Sequence, residues 1–217
     1  MIEYEKTVER VAQRDCANVM KDQVMATDEL VEYQARLDEL MDSDSPDIFG
    51  NYTQNHARRI IRTFFASAEK SIMCLSGDFG NPKGVYGEAE IESALREAVG
   101  KGVDVRVISL NVSPDSISRL NSLCEELNKE VAAGDVKDET RCCCGKVRHG
   151  SFAYKLGVVT NPKAEIHHYL IVDGKRYRLE AAHSNPVGCD VHAEVCCNGP
   201  LKAASLKRDF DTIWGKL

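Results

Sequence analysis

Residues 71–110 read SIMCLSGDFGNPKGVYGEAEIESALREAVGKGVDVRVISL. Ser71–Ser76 is a short apolar run, the pattern of a strand buried on both faces. Gly80 to Gly87 contains Pro82 and Gly84 and reads as a loop. Residues 88–99 put Ile91, Leu95, Ala98 and Val99 on one helical face, and Gly100-Lys101-Gly102 ends that helix. Val103–Leu110 is a second strand. Strand, helix, strand in this order is a βαβ unit and predicts an α/β fold.

Outward from this unit, a helix of about 51–69 carries Ile60, Ile61, Phe64 and Ala68 on one face and Arg58, Arg59 and Arg62 on others. Ser113-Pro114 starts another helix, with Ile117, Leu120, Leu123, Leu127 and Val131 inward. The second half is β-rich. Arg141–Tyr154 reads as a hairpin. His168–Val172, the turn Asp173-Gly174 and Lys175–Leu179 form the strongest hairpin signal in the chain. Val191–Cys197 is one more strand, and Leu201–Leu217 is a closing helix with Leu206, Phe210, Ile213 and Trp214 inward.

The chain has 217 residues, 43% of them apolar, enough for a sizeable core. Charge is uneven. Residues 1–50 hold 13 acidic and 5 basic side chains, the remainder 21 and 23, so the net −6 is an acidic arm on a nearly neutral body. That body does not exclude nucleic acid as a partner. Residues 5–25 and 28–42 have helical apolar spacing, and Asp42–Pro46 is polar punctuation. The predicted organisation is an acidic helical arm, 1–44, able to contact a protein partner, and a domain spanning 45–217. No apolar run approaches a membrane span, and the N-terminus lacks the apolar centre of a signal peptide, so a cytoplasmic protein is expected. Nine cysteines, an odd number, argue against a disulfide framework. Adjacent Cys142, Cys143 and Cys144 point to opposite faces of an extended backbone, and Cys189, Cys196 and Cys197 lack paired metal spacing. Buried reduced thiols are expected, with a zinc site as the alternative.

From Ala164 to Trp214 the sequence resembles the phospholipase D superfamily, whose motif is H-x-K-x-x-x-x-D followed by G-S-x-N and N-x-E. Lys101–Val107 (KGVDVRV) and Ala66–Ile72 (ASAEKSI) resemble that family's earlier phrases, so the resemblance covers about 51–217. It implies a mixed sheet flanked by helices. It also implies metal-free phosphodiester chemistry: one histidine attacks phosphorus, a second protonates the leaving group, and no cofactor is needed. Two copies of a single-motif chain build one centre, so a homodimer is implied. With Asp173 as the motif aspartate, the nucleophile position holds Ile166 and the lysine position His168. The following phrases become Ala182-His183-Ser184-Asn185 and His192-Ala193-Glu194. Isoleucine has no lone pair and cannot attack phosphorus. A one-residue slip would offer His167 but place Tyr169 at the lysine position.

The expected pocket therefore contains His168, Asp173, His183, Asn185, His192 and Glu194. Histidines titrate near neutrality, so phosphate binding is expected to strengthen from pH 8 to pH 6. Arg141, Lys146, Arg148, His149 and Lys155 form a basic set that is either a solvated face or a nucleic-acid contact. The reading is a non-catalytic binding or regulatory module for a phosphate-bearing ligand, nucleic acid included. The alternatives are a divergent phosphodiesterase using His168 or His183, with Asp173 and Glu194, and a metal-binding protein.

Overall fold

The computed structural model describes residues 26–77, 79–132, 150–160, 167–181 and 192–217. It divides into two compact units, 1–39 and 40–217. Helix α1 (Ala26–Asp42) runs through this boundary. In the first unit its exposed side chains pair along the helix, Gln34 with Asp38 and Arg36 with Glu39.

Among the described residues the second unit is one seven-stranded mixed sheet with four further helices. In chain order they are β1 (Ile48–Asn51), α2 (Gln54–Ala66), β2 (Ser71–Ser76), α3 (Ala89–Gly100), β3 (Asp104–Leu110), α4 (Pro114–Ala132), β4 (Ser151–Gly157), β5 (Tyr169–Val172), β6 (Arg176–Glu180), β7 (Ala193–Cys196) and α5 (Pro200–Lys216). The order across the sheet is β1-β7-β6-β5-β2-β3-β4. Strands β2, β3 and β4 are parallel; every other neighbouring pair is antiparallel.

Two of these strands add to the sequence reading. Of the hairpin expected over 141–154, residues 141–149 lie outside the described residues; β4 itself lies parallel to β3, Val105 opposite Phe152. Phe152 turns its N–H and C=O away from β3, where the Asn128 amide of α4 satisfies both. The other addition is β1, an edge strand that pairs with β7.

Helices α2, α3 and α4 form a layer on one face, tied by Arg58–Glu88, Arg62–Glu90, Arg119–Glu92 and Arg96–Glu126. Helix α5 covers the other face. There Met73, Leu75, Ile108, Tyr169, Ile171 and Tyr177 pack against Ala203, Leu206 and Phe210. Helix α3 ends as its sequence predicts: Gly102 takes φ +91°, and the N–H groups of Gly102 and Val103 close back on Val99 and Ala98.

The polar segment before β1 is fastened to the sheet. Lys175 Nζ reaches Asp44 Oδ1 at 2.6 Å, Asn198 donates to the Asp44 carbonyl, and Cys196 donates to the Pro46 carbonyl. Among the described residues Cys74, Cys196 and Cys197 are buried free thiols. Burial pushes Cys74 up to about 12 and Cys197 to about 11, which keeps both protonated and inert. Among the described residues, no helix is long and apolar enough to cross a membrane.

Candidate functional site

Parallel strands β2 and β3 end together at one edge of the sheet, where β5 begins and β6 finishes. Strand β2 has a parallel neighbour on one side and an antiparallel one on the other. The edge beyond the carboxyl ends of parallel strands, at such a change of direction, is where α/β sheets place ligands. His168 lies here, one residue before β5. Its carbonyl accepts the Glu180 N–H at 2.9 Å, continuing the ladder.

Strand alternation decides which side chains meet. His168 shares a face with Leu170, whose register partner is Arg178, and β6 alternation adds Glu180 to that face. His168 Nδ1 lies 3.2 Å from Glu180 Oε2, and both side chains are about 15% exposed. Arg178 also pairs with Glu180, and its Nε donates to Asn51 Oδ1 at 2.8 Å. The Asn51 amide then donates to the Thr53 carbonyl at 2.9 Å. Thr53 caps α2 by accepting the His56 N–H. The result is a buried polar chain from His168 to the N-terminus of α2. Burial alone raises the Glu180 carboxyl, but the His168 hydrogen bond and the Arg178 guanidinium outweigh it and hold Glu180 at about 2. On its other side, the Cε1–Nε2 flank of the His168 ring lies over Gly77. A Cβ at Gly77 would stand 3.4 Å from Cε1 and 3.8 Å from Nε2.

Opposite parity puts a second group on the α5 face of the same edge. His167, Leu179, His192 and Glu194 line an open depression of about 250 Å³, with Ala181 and Ala193. Leu179 is the register partner of Glu194, and Tyr177 lies beneath. Burial and the Glu194 carboxylate, which it hydrogen-bonds, push Tyr177 up to about 12. His167 Nδ1–H donates to the Glu180 carbonyl at 3.1 Å.

The structure therefore does not gather the four described pocket candidates into one cleft. His168 is on the α2–α4 face; His192 and Glu194 are on the α5 face. Asp173 lies at the far end of β5, five residues from His168, or roughly 16 Å at the rise of a strand. There it takes φ +54°, which aspartate tolerates, and its carboxylate accepts from the N–H groups of Glu69, Lys70 and Ser71. It also pairs with Arg176, itself 9% exposed. Asp173→Ala should cost about 3 kcal/mol, since three backbone donors and a buried guanidinium lose an ionised acceptor. Asp173→Asn keeps the turn and should cost less. Urea unfolding of both variants checks the order.

Ile166, His183, Asn185, Arg141, Lys146, Arg148, His149 and Cys142–Cys144 lie outside the described residues. Of the basic set, Lys155 is engaged elsewhere: its Nζ donates to the Trp214 carbonyl at 2.6 Å and sits 5.1 Å from the Trp214 ring. No three His, Cys, Asp or Glu side chains among the described residues are placed to hold a metal ion. Sequence reasoning missed Glu180, Arg178 and Asn51. The signal for the first two was parity, because Arg178 and Glu180 alternate with Tyr177 and Leu179 on the face that His168 shares.

No family model matches this sequence, and no curated protein does. Solved structures do match. Nuc from Salmonella typhimurium, a phospholipase D family member, shares 20% identity over 79% of this chain and 95% of its own, with a TM-score of 0.51. TrmBL2, an archaeal chromatin protein, shares 13% identity over 98% of this chain and 67% of its own, with a TM-score of 0.50. The fold is phospholipase D-like: a mixed α/β sheet flanked by helices.

Proposed function

We propose that this domain recognises a phosphate-bearing ligand, nucleic acid foremost, at the edge where β2 ends and β5 begins, and does not cleave it. The observation that carries the reading is His168. It stands where the resembled motif has lysine, its Nδ1 is committed to a charge-balanced Glu180, and its Cε1–Nε2 flank faces the side-chain-free Gly77. A histidine so placed can donate to a phosphate oxygen reaching the edge. Ile166, two residues earlier, supplies no lone pair. The fold shared with Nuc supports phosphodiester recognition, and TrmBL2, whose structure is described as showing a novel mode of DNA binding, supports nucleic acid as the ligand class.

The test is fluorescence anisotropy with single- and double-stranded oligonucleotides across a salt series, in chelator, followed by electrophoresis of the same samples. Salt-dependent binding with intact oligonucleotide is expected. No binding at low salt excludes the reading. The single motif supports a homodimer as the working assembly, and light scattering that gives a strict monomer across micromolar concentrations excludes that.

One observation favours a second reading, metal-independent phosphodiester hydrolysis. A carboxylate on Nδ1 fixes the imidazole tautomer and leaves a lone pair on Nε2, the arrangement of a general base or nucleophile. Cleavage that persists in chelator and vanishes in His168→Ala selects this reading.

A further inference from the structure

We propose that the depression on the α5 face of the site edge is a nucleobase subsite, and that the base it fits is guanine. The inference rests on the nucleic-acid reading above and adds the ligand's identity to it. The depression is small, about 250 Å³, and open. Leu179 and Ala181 give it an apolar floor, as the face of a base requires, and Glu180 and Ala193, of the opposite parity, also line it. Its rim carries the exposed rings of His167 and His192. Tyr52, 58% exposed, meets His192 edge-on with ring centroids 5.5 Å apart. Gly50 makes room for that ring: a Cβ there would stand 2.2 Å from the Tyr52 ring carbon Cζ. Gly50 is also the register partner of Glu194, so the tyrosine lies beside the carboxylate. Flat rings around an apolar floor form a stacking platform, and any base has a π-face to offer it.

The carboxylate supplies the choice among bases. Glu194 holds one hydrogen bond with Tyr177 and, as an ionised carboxylate, has acceptor positions to spare. Guanine presents two adjacent donors on its Watson–Crick edge, N1–H and the exocyclic amine. These meet a carboxylate in two parallel N–H···O bonds, as a guanidinium does. Adenine and cytosine put a ring-nitrogen lone pair beside their amine, which the carboxylate repels. Uracil and thymine flank their one N–H with carbonyls.

The experiment uses the full chain and four probes: GMP, IMP, AMP and ribose 5-phosphate. Binding is followed by titration and by amide chemical shifts. GMP is expected to bind about tenfold more tightly than IMP, which lacks the exocyclic amine, and than AMP. Its shifts should centre on Ala181 and Ala193. Glu194→Gln should bring GMP to the level of IMP, and His192→Ala should weaken every nucleotide by about tenfold. Equal affinity for GMP and ribose 5-phosphate, or shifts that bypass Ala181 and Ala193, overturns the subsite and leaves phosphate recognition standing. If neither the nucleotides nor the oligonucleotides bind, phosphate recognition fails and the subsite fails with it.

Discussion

Replacing Glu180 with glutamine should destabilise the domain by about 3–5 kcal/mol, the cost of leaving a buried charge without its partner. Arg178 is 3% exposed, and Glu180 is the carboxylate that neutralises it. The Asn51 carbonyl oxygen remains as an acceptor but carries no charge. Glutamine also withdraws the anion facing His168 Nδ1. Denaturant unfolding should show the midpoint falling with an unchanged slope. A loss under about 1 kcal/mol would mean that solvent reaches Arg178 and that the chain from His168 to α2 is not a buried unit. Adding Arg178→Met should recover much of the loss, because removing both charges costs less than removing one.

The same carboxylate sets an acid limit. Its folded value, about 2, lies below the ordinary 4.5, so the unfolded chain binds the proton more readily. The stabilisation is therefore complete above pH 4.5 and is lost as pH falls from 4.5 towards 2. The shift corresponds to about 3 kcal/mol. Glu180→Gln should flatten this limb of the stability profile.

Helices and central strands were legible because their periodicity is strong. Ser71–Ser76 and Val103–Leu110 are continuous apolar runs, and α3 and α5 show one apolar face with clear ends. The edge strand β1 was not legible. Its four residues, Ile48-Phe-Gly-Asn51, include a glycine and an asparagine, and they form a strand only because β7, some 145 residues later, accepts them. Strand β4 was visible as a strand but not in its direction, which depends on the α4 crossover. The site was legible as far as residue types go. His168, His192 and Glu194 were expected to share one pocket, yet alternation divides them between two faces. Asp173 was named as a pocket residue and as good turn chemistry; its position and hydrogen bonds are those of the turn. Glu180 and Arg178 escaped notice because a charged residue in a strand ordinarily points to water, and only their burial and the Arg178–Asn51 hydrogen bond show that these do not.

The largest expected effect on chemistry comes from restoring the motif. The unmodified protein should give no phosphodiester cleavage above background in chelator, with either an oligonucleotide or a chromogenic diester. Ile166 cannot form a bond to phosphorus, and covalent catalysis has no route around a missing nucleophile. His168 has the carboxylate partner of a working base but stands at the lysine position of the resembled motif, two residues after its nucleophile position. Ile166→His combined with His168→Lys returns a nucleophile three residues before β5 and a fixed positive charge beside Glu180. The Glu180 carboxylate, already ionised at neutral pH, can pair with the introduced ammonium as it pairs with His168. A gain of at least about a hundredfold over the unmodified chain is expected, within the range that a single positioned catalytic group provides. The combination tests position as well as chemistry, because Ile166→His alone leaves imidazole where the motif needs a permanent cation and should gain less. Chelator-resistant cleavage by the unmodified protein, abolished by His168→Ala, would overturn the non-catalytic reading and make His168 Nε2 the attacking atom.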